Sequence, residues 1–351
     1  MKRINIFHPS EDPSLYSLAT RSSQCIERLN MTAQKSFTKN CAGVLLVVFL
    51  ILFSQSAAAQ LRPGLTFGHE IWPSSSVSNL DTDESLVQSL SDLSIWTDVR
   101  FVRVSYPMML QNGQMFLDIQ PGFQRIQFSY DNWTEELPRP TDAYIIDLNV
   151  ISQRQLSKRW SLLAQVTPAL KSGLEEKLAS EDFAIEGAIL AIRQLSDRSS
   201  YGFGVAYSTN FGAPVPIPLL QFDYRAPLWS GGPEWRGSAL LPSSLEAWVI
   251  PARRLEIGLQ LKSMGDRHHI TETGTVSMQK PFSDYFDTVM GPSIILYLTP
   301  WLNLSIDSGI SLYRQMKITD GREEVINFEP DQAGFLHWQF TIGGQSPLKG
   351  Q

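Results

Sequence analysis

The strongest signal along this chain is a period of two. In Leu255–Lys262, Leu255, Ile257, Leu259 and Leu261 alternate with Glu256, Gly258, Gln260 and Lys262. Successive side chains of a strand point to opposite faces, so this pattern predicts a strand with one apolar and one polar face. The same alternation sets Leu302, Leu304, Ile306, Ile310 and Leu312 against Asn303, Ser305, Asp307, Gly309 and Ser311. It also sets Tyr201, Phe203, Val205 and Tyr207 against Gly202, Gly204, Ala206 and Ser208. Leu220, Phe222 and Tyr224 oppose Gln221, Asp223 and Arg225, and Leu336, Trp338, Phe340 and Ile342 oppose His337, Gln339 and Thr341. Fainter versions lie at Val102–Tyr106, Tyr144–Ile151, Trp160–Thr167, Phe183–Ile192, Trp235–Leu241 and Leu245–Ile250. In Met115–Tyr130 the apolar parity moves from odd to even positions, which predicts a β-bulge inside a long strand.

The connections alternate in length. Ser157–Arg159, Asp197–Ser200, Pro251–Arg254 and Thr299–Pro300 are short, whereas Asp131–Asp142, Ser172–Asp182, Met264–Asp284 and Met316–Asp331 are long. Short turns at one end and long loops at the other predict an all-β, antiparallel up-and-down transmembrane barrel over residues 96–343. Thirteen segments can be counted, and such barrels are normally even; the expected strand number is about 12, with Trp235–Leu241 and Leu245–Ile250 as one strand bent at Pro242, or 14 if Leu65–Trp72 joins the wall. Trp160 and Tyr201 follow short turns on the apolar face, where an aromatic girdle would lie. A soluble periplasmic β-sandwich binding protein is the competing architecture, since its strands alternate in the same way. The small residues on the polar faces, Gly202, Gly204, Ala206, Gly258 and Gly309, suit a crowded lumen better than a solvated sheet.

Upstream the pattern differs. Ala42–Phe53 is an unbroken apolar run of 12 residues, followed by Ala57-Ala58-Ala59. A spanning helix needs about 20 residues. The run reads instead as the core of an export signal, residues 1–59, cut between Ala59 and Gln60. Met31 is the better start for a signal of ordinary length. Residues 60–95 read as an irregular leader, with Leu86, Leu90 and Leu93 suggesting a short helix over Asp81–Trp96. Residues 344–351 form a C-terminal tail.

Charge and cysteine content narrow the function. The formal net charge is −6, and removal of the signal, which holds more bases than acids, makes it more negative. That argues against a nucleic-acid partner, which wants a basic face. Cys25 and Cys41 both precede the cut, and neither sits where a lipid anchor would attach. The expected location is the outer membrane. The expected partners are membrane lipids and the barrel-assembly machinery, with the solute unknown and no cofactor or metal.

Pro216–Pro218 through Phe222, then Leu241-Pro242, Leu245–Trp248 and the Leu255–Leu261 strand resemble a bacterial family known only as a domain of unknown function. The resemblance covers most of the chain after the signal. It implies an exported, barrel-like outer-membrane protein and brings no activity or functional residues with it.

Candidate chemistry is sparse. The polar rows hold Arg103, Asp118, Asp147, Glu186, Asp223, Arg225, Arg236, Glu256, Lys262 and Asp307. Six acids facing four bases are expected to pair across a narrow lumen, because unpaired buried charges are costly. A pore selective for one sign would show a larger excess of that sign. Ser263, His268 and Glu272 are the one set from which an outer-membrane barrel hydrolase could be drawn, but no nucleophile-elbow motif frames them. Adjacent His268 and His269 lack the spacing of a metal pair. The expected function is an integral barrel without enzymatic activity, either a narrow small-solute channel or a structural component of the envelope.

Overall fold

Alternation becomes sheet over nearly all of the chain that the computed structural model describes, residues 63–81, 93–133, 138–173, 178–208, 215–270, 278–321 and 323–343. The strands are β1 (Gly64–Asp81), β2 (Ser94–Leu110), β3 (Met115–Asp131), β4 (Ala143–Gln155) and β5 (Trp160–Ser172). They continue as β6 (Phe183–Ser196), β7 (Ser199–Ser208), β8 (Val215–Pro227), β9 (Glu234–Leu241) and β10 (Ser244–Ala252). The last are β11 (Leu255–His269), β12 (Pro281–Thr299), β13 (Leu302–Asp320), β14 (Glu323–Pro330) and β15 (Gly334–Gly343). Each pairs antiparallel with its sequence neighbour from β1 to β13. β14 and β15 both lie between β13 and β1, one above the other, so together they fill one position. Fourteen strand positions result. β1 pairs with β2 on one side and with β14 and β15 on the other, which closes the barrel and removes the sandwich alternative.

Two sequence expectations are corrected, and a third lies mostly outside the described residues. Half of the supposed irregular leader is β1, whose pattern is blurred by an irregularity between Trp72 and Ser75. The short helix falls mainly on residues 82–92, outside the described residues, and its last part, Ser94–Trp96, begins β2. β3 has no bulge: its register against β2 and β4 is continuous. A register shift does occur at Leu312 in β13, where Tyr313 and Ser311 face Thr288 and Val289. The signal with its cut between Ala59 and Gln60, and the tail, lie outside the described residues.

What changes in β3 is polarity. In its lower half Asp118, Gln120, Gly122 and Gln124 point into the barrel, while Leu117, Ile119 and Phe123 point out. In its upper half the inward residues are Ile126, Phe128 and Tyr130, and the outward ones are Arg125, Gln127 and Ser129. Ile126 and Phe128 are buried in an apolar core with Leu93, Ile95, Ile145, Ile270, Met316, Ile318, Ile326 and Phe328. On the outer face at this height His69 bonds Asp98 at 2.7 Å, Arg100 pairs with Asp98 at 2.9 Å and Arg125 with Asp142 at 2.7 Å. The barrel is therefore two bodies in one wall. Below, apolar residues face out and polar residues face in; above, the order reverses as in a water-soluble protein.

The wall is also uneven. β12 and β13 have 19 residues each, but β9 has 8 and β10 has 9. Above this low stretch β5 and β11 meet directly through a single parallel bridge, His269 to Ser172. The tall strands thus fold over the low side as a dome, filled by the apolar core.

Candidate functional site

Under the dome the lumen holds a cavity of about 610 Å³. Its lining mixes apolar residues such as Val99, Phe101 and Ile145 with amides and hydroxyls, among them Thr66, Gln120, Asn149, Gln165 and Thr167. Three of the polar ones are chained together: Asn149 donates to Gln120 at 3.0 Å, and Thr167 donates to Asn149 at 3.1 Å. The charged members are Glu70, Arg103, Asp147, Lys171, Glu186, Asp266 and His337.

Most of the charges anticipated from the sequence have partners. Arg103 donates to Asp147 at 2.7 Å. Asp118 accepts from the Ser105 hydroxyl at 3.0 Å and from Gln120 at 2.7 Å. Glu186 pairs with Lys171 at 2.8 Å. Asp223 accepts from Ser200 and Gln221. Arg236 pairs with Glu256 at 3.1 Å, and Tyr297 donates to the same carboxylate at 2.8 Å. Lys262 lies 3.8 Å from Glu246. Asp307 accepts from Ser293 and stands 3.9 Å from His337. Arg225 is opposite Arg236 across β8 and β9 and is exposed. The set is spread over the whole lumen. Only Arg103, Asp147 and Glu186 of it line the cavity.

The residues the sequence missed sit higher. Lys171 bridges β5 to Glu186 on β6 and to Asp266 on β11. Arg314 lies between Asp287 at 3.1 Å, the Ser75 hydroxyl at 2.7 Å and the face of Trp72. Both cations are almost wholly buried. Asp266 and Asp287 fall within Met264–Asp284 or just past it, a stretch read as loop that instead completes β11 and opens β12.

The hydrolase set does not assemble. His268 is on β11, buried and opposite Ser283, with its ring stacked on Phe128. The Ser263 hydroxyl bonds Thr288 at 3.2 Å, and Glu272 lies outside the described residues. Among the described residues no group of three His, Cys, Asp or Glu side chains could hold a metal ion.

Trp160 packs edge-on against Tyr201 and Phe203 at the short-turn end, with Arg193 over its ring. That end holds the aromatic residues expected of a girdle.

Comparison with known proteins adds relatives in architecture. An outer membrane channel from Pseudomonas putida F1 aligns over 82% of this chain and 97% of its own, at 10% identity and a TM-score of 0.40. OccAB4 from Acinetobacter baumannii covers 81% of this chain and 99% of its own, at 9% identity and 0.32. LpxR from Salmonella typhimurium covers 80% and 99%, at 9% identity and 0.30. None of the curated proteins matches the chain in sequence. A family model described as Domain of unknown function (DUF6268) matches residues 55–340, and the chain belongs to that family.

Proposed function

We propose that this protein is an integral outer-membrane β-barrel that acts as a narrow, largely occluded channel for small solutes. The observation that carries the reading is the polarity of the lower wall. Leu259 is 55% exposed on the outside while its neighbours Glu256 and Gln260 are 4% and 2% exposed on the inside. Phe203 and Ile185 are likewise more than half exposed. Water-soluble proteins rarely leave so large a continuous apolar surface uncovered, whereas a lipid-facing band of about 25 Å is what a membrane barrel needs. An export signal over residues 1–59 agrees with that location. Membrane lipids and the barrel-assembly machinery are the partners it implies. The lumen charges bond to each other and to neighbouring hydroxyls and amides, which leaves no one-sign lining for strong ion selectivity. We read the protein as a channel rather than an enzyme, because its one Ser–His–acid candidate is not brought together.

The decisive measurement is planar-bilayer recording of protein that fractionates with outer membranes and migrates anomalously on gels until boiled. Small, weakly selective conductance is expected. A large, steady, strongly selective conductance would mean an open porin. No conductance or solute flux at all would leave a structural role in the envelope.

A further inference from the structure

We infer that solute reaches the chamber sideways, over the β9–β10 hairpin, and that it is a small amphiphile with an apolar body and a hydrogen-bond-donating head. The inference rests on the channel reading above and specifies its substrate.

The dome closes the direct path. Leu93, Ile95, Ile126, Ile270, Ile318 and Phe328 are essentially inaccessible, and they fill the barrel above the cavity. A polar solute descending this way would have to disperse a packed apolar core. On the low side, among the described residues, the wall between the hairpin and the β5–β11 contact is lower. β9 pairs with β8 only up to Leu241 opposite Leu220, and β10 pairs with β11 only up to Ser244 opposite Lys262. β11 runs on to His269. Its continuation just above the hairpin, Met264, Gly265 and Asp266, lines the chamber. Eight residues at about 3.3 Å each, tilted about 40°, rise only about 20 Å. That is short of the apolar band of about 25 Å that spans a membrane, so the wall is lowest here.

The outer face below the hairpin is shaped for an apolar body. A groove of about 630 Å³ runs over β7–β12. Tyr201, Phe222, Tyr224 and Trp235 form one bank, Leu259 and Leu261 the other. Gly237, Ala239 and Ala247 lie between them, and their small side chains leave the depression. Its lining is nearly all hydrocarbon, and its upper members, Ala239 and Leu245, stand just below the hairpin. Inside, carboxylates outnumber cations: Glu70, Asp147, Glu186 and Asp266 against Arg103 and Lys171. The carboxylate and amide oxygens of this lining are hydrogen-bond acceptors that a donating head can meet. A molecule that partitions at the outer-leaflet surface would lay its body in the groove and pass its head over the hairpin.

The test uses N-phenyl-1-naphthylamine, an apolar dye with one N–H donor, in cells expressing the full chain with Cys25→Ser and Cys41→Ser. Ser172→Cys with His269→Cys places a disulfide at the β5–β11 bridge and locks the dome. Dye uptake in the oxidised protein is expected to stay within about twofold of the reduced protein. A drop of more than tenfold on oxidation would make the dome the route and overturn the inference. Ala247→Trp, and independently Ala239→Trp, should fill the groove and lower dye uptake at least tenfold while arabinose flux changes little. Uptake unchanged in both folded variants, checked by heat-modifiability, would also overturn it. Arabinose flux without dye uptake would refute the amphiphile and leave the channel; absence of both would refute the channel itself.

Discussion

Lys171 shows how much one buried cation can hold. It ties β5 to both β6 and β11, which are not neighbours in the sheet. Lys171→Met strands two carboxylates, and breaking a buried pair from one side costs about 3–5 kcal/mol. Replacing Glu186 by Gln and Asp266 by Asn in the same chain should recover much of that loss. Urea unfolding of the three proteins in vesicles measures it; equal stability of the single and triple variants would show that the charges are solvated and the tie is weak. Glycine gives a second contrast. A Cβ on Gly204 would overlap the Ile189 carbonyl oxygen and approach Leu190 Cα to 2.8 Å, both backbone atoms that cannot swing aside. At Gly334 the nearest atom would be 3.7 Å away. Gly204→Ala is expected to destabilise by about 1–3 kcal/mol through overpacking, and Gly334→Ala by less than about 0.5 kcal/mol, as for ordinary surface changes. The same denaturant titration separates them.

At the scale of the strand, the point where polarity inverts explains what could be read beforehand. Leu255–Lys262, Tyr201–Ser208 and Leu302–Ser311 lie wholly in the lower wall, so their alternation has one sense and is plain. β3 crosses the inversion, and its change of sense imitates a bulge although the register never shifts. In β11 the outward row continues past Leu261 as Ser263, Gly265, Arg267 and His269, so its apolar face ends although the strand does not, and the stretch resembles a loop. Lys171 escaped notice because β5 continues five residues past its clear pattern, to Ser172. The inversion also sets what substitutions do. Leu259→Arg puts a charge into lipid and should cost about 2–4 kcal/mol near the midplane. Ser129→Arg, outward on the upper half of β3, should stay within about 0.5 kcal/mol. Cysteines at the two positions report the same boundary: a water-soluble maleimide should label position 129 quickly and position 259 slowly. Equal rates would remove the boundary.

Across the whole molecule, the dome is a stopper made of the same wall it stops. Phe328 is fully buried at its centre, against Trp133. Phe328→Ala should cost about 3–5 kcal/mol and loosen the stopper enough to raise single-channel conductance. Unchanged conductance in a folded but destabilised variant would show that ions already pass elsewhere. The seam of the barrel carries a different consequence, one of timing. Gly64–Ile71 pairs with Leu336–Gly343, the two ends of the sheet in sequence. Every other position can form from a hairpin as soon as its two strands exist, because the chain between them is short. The seam must wait for the C-terminal strand, and closing so long a loop is the slowest kind of contact to make. Until then the first strand presents an unpaired edge, open to any other strand that meets it. Gly64–Ile71 therefore stays the open edge of the sheet until Leu336–Gly343 arrives, and closure is governed by residues near the other end of the chain.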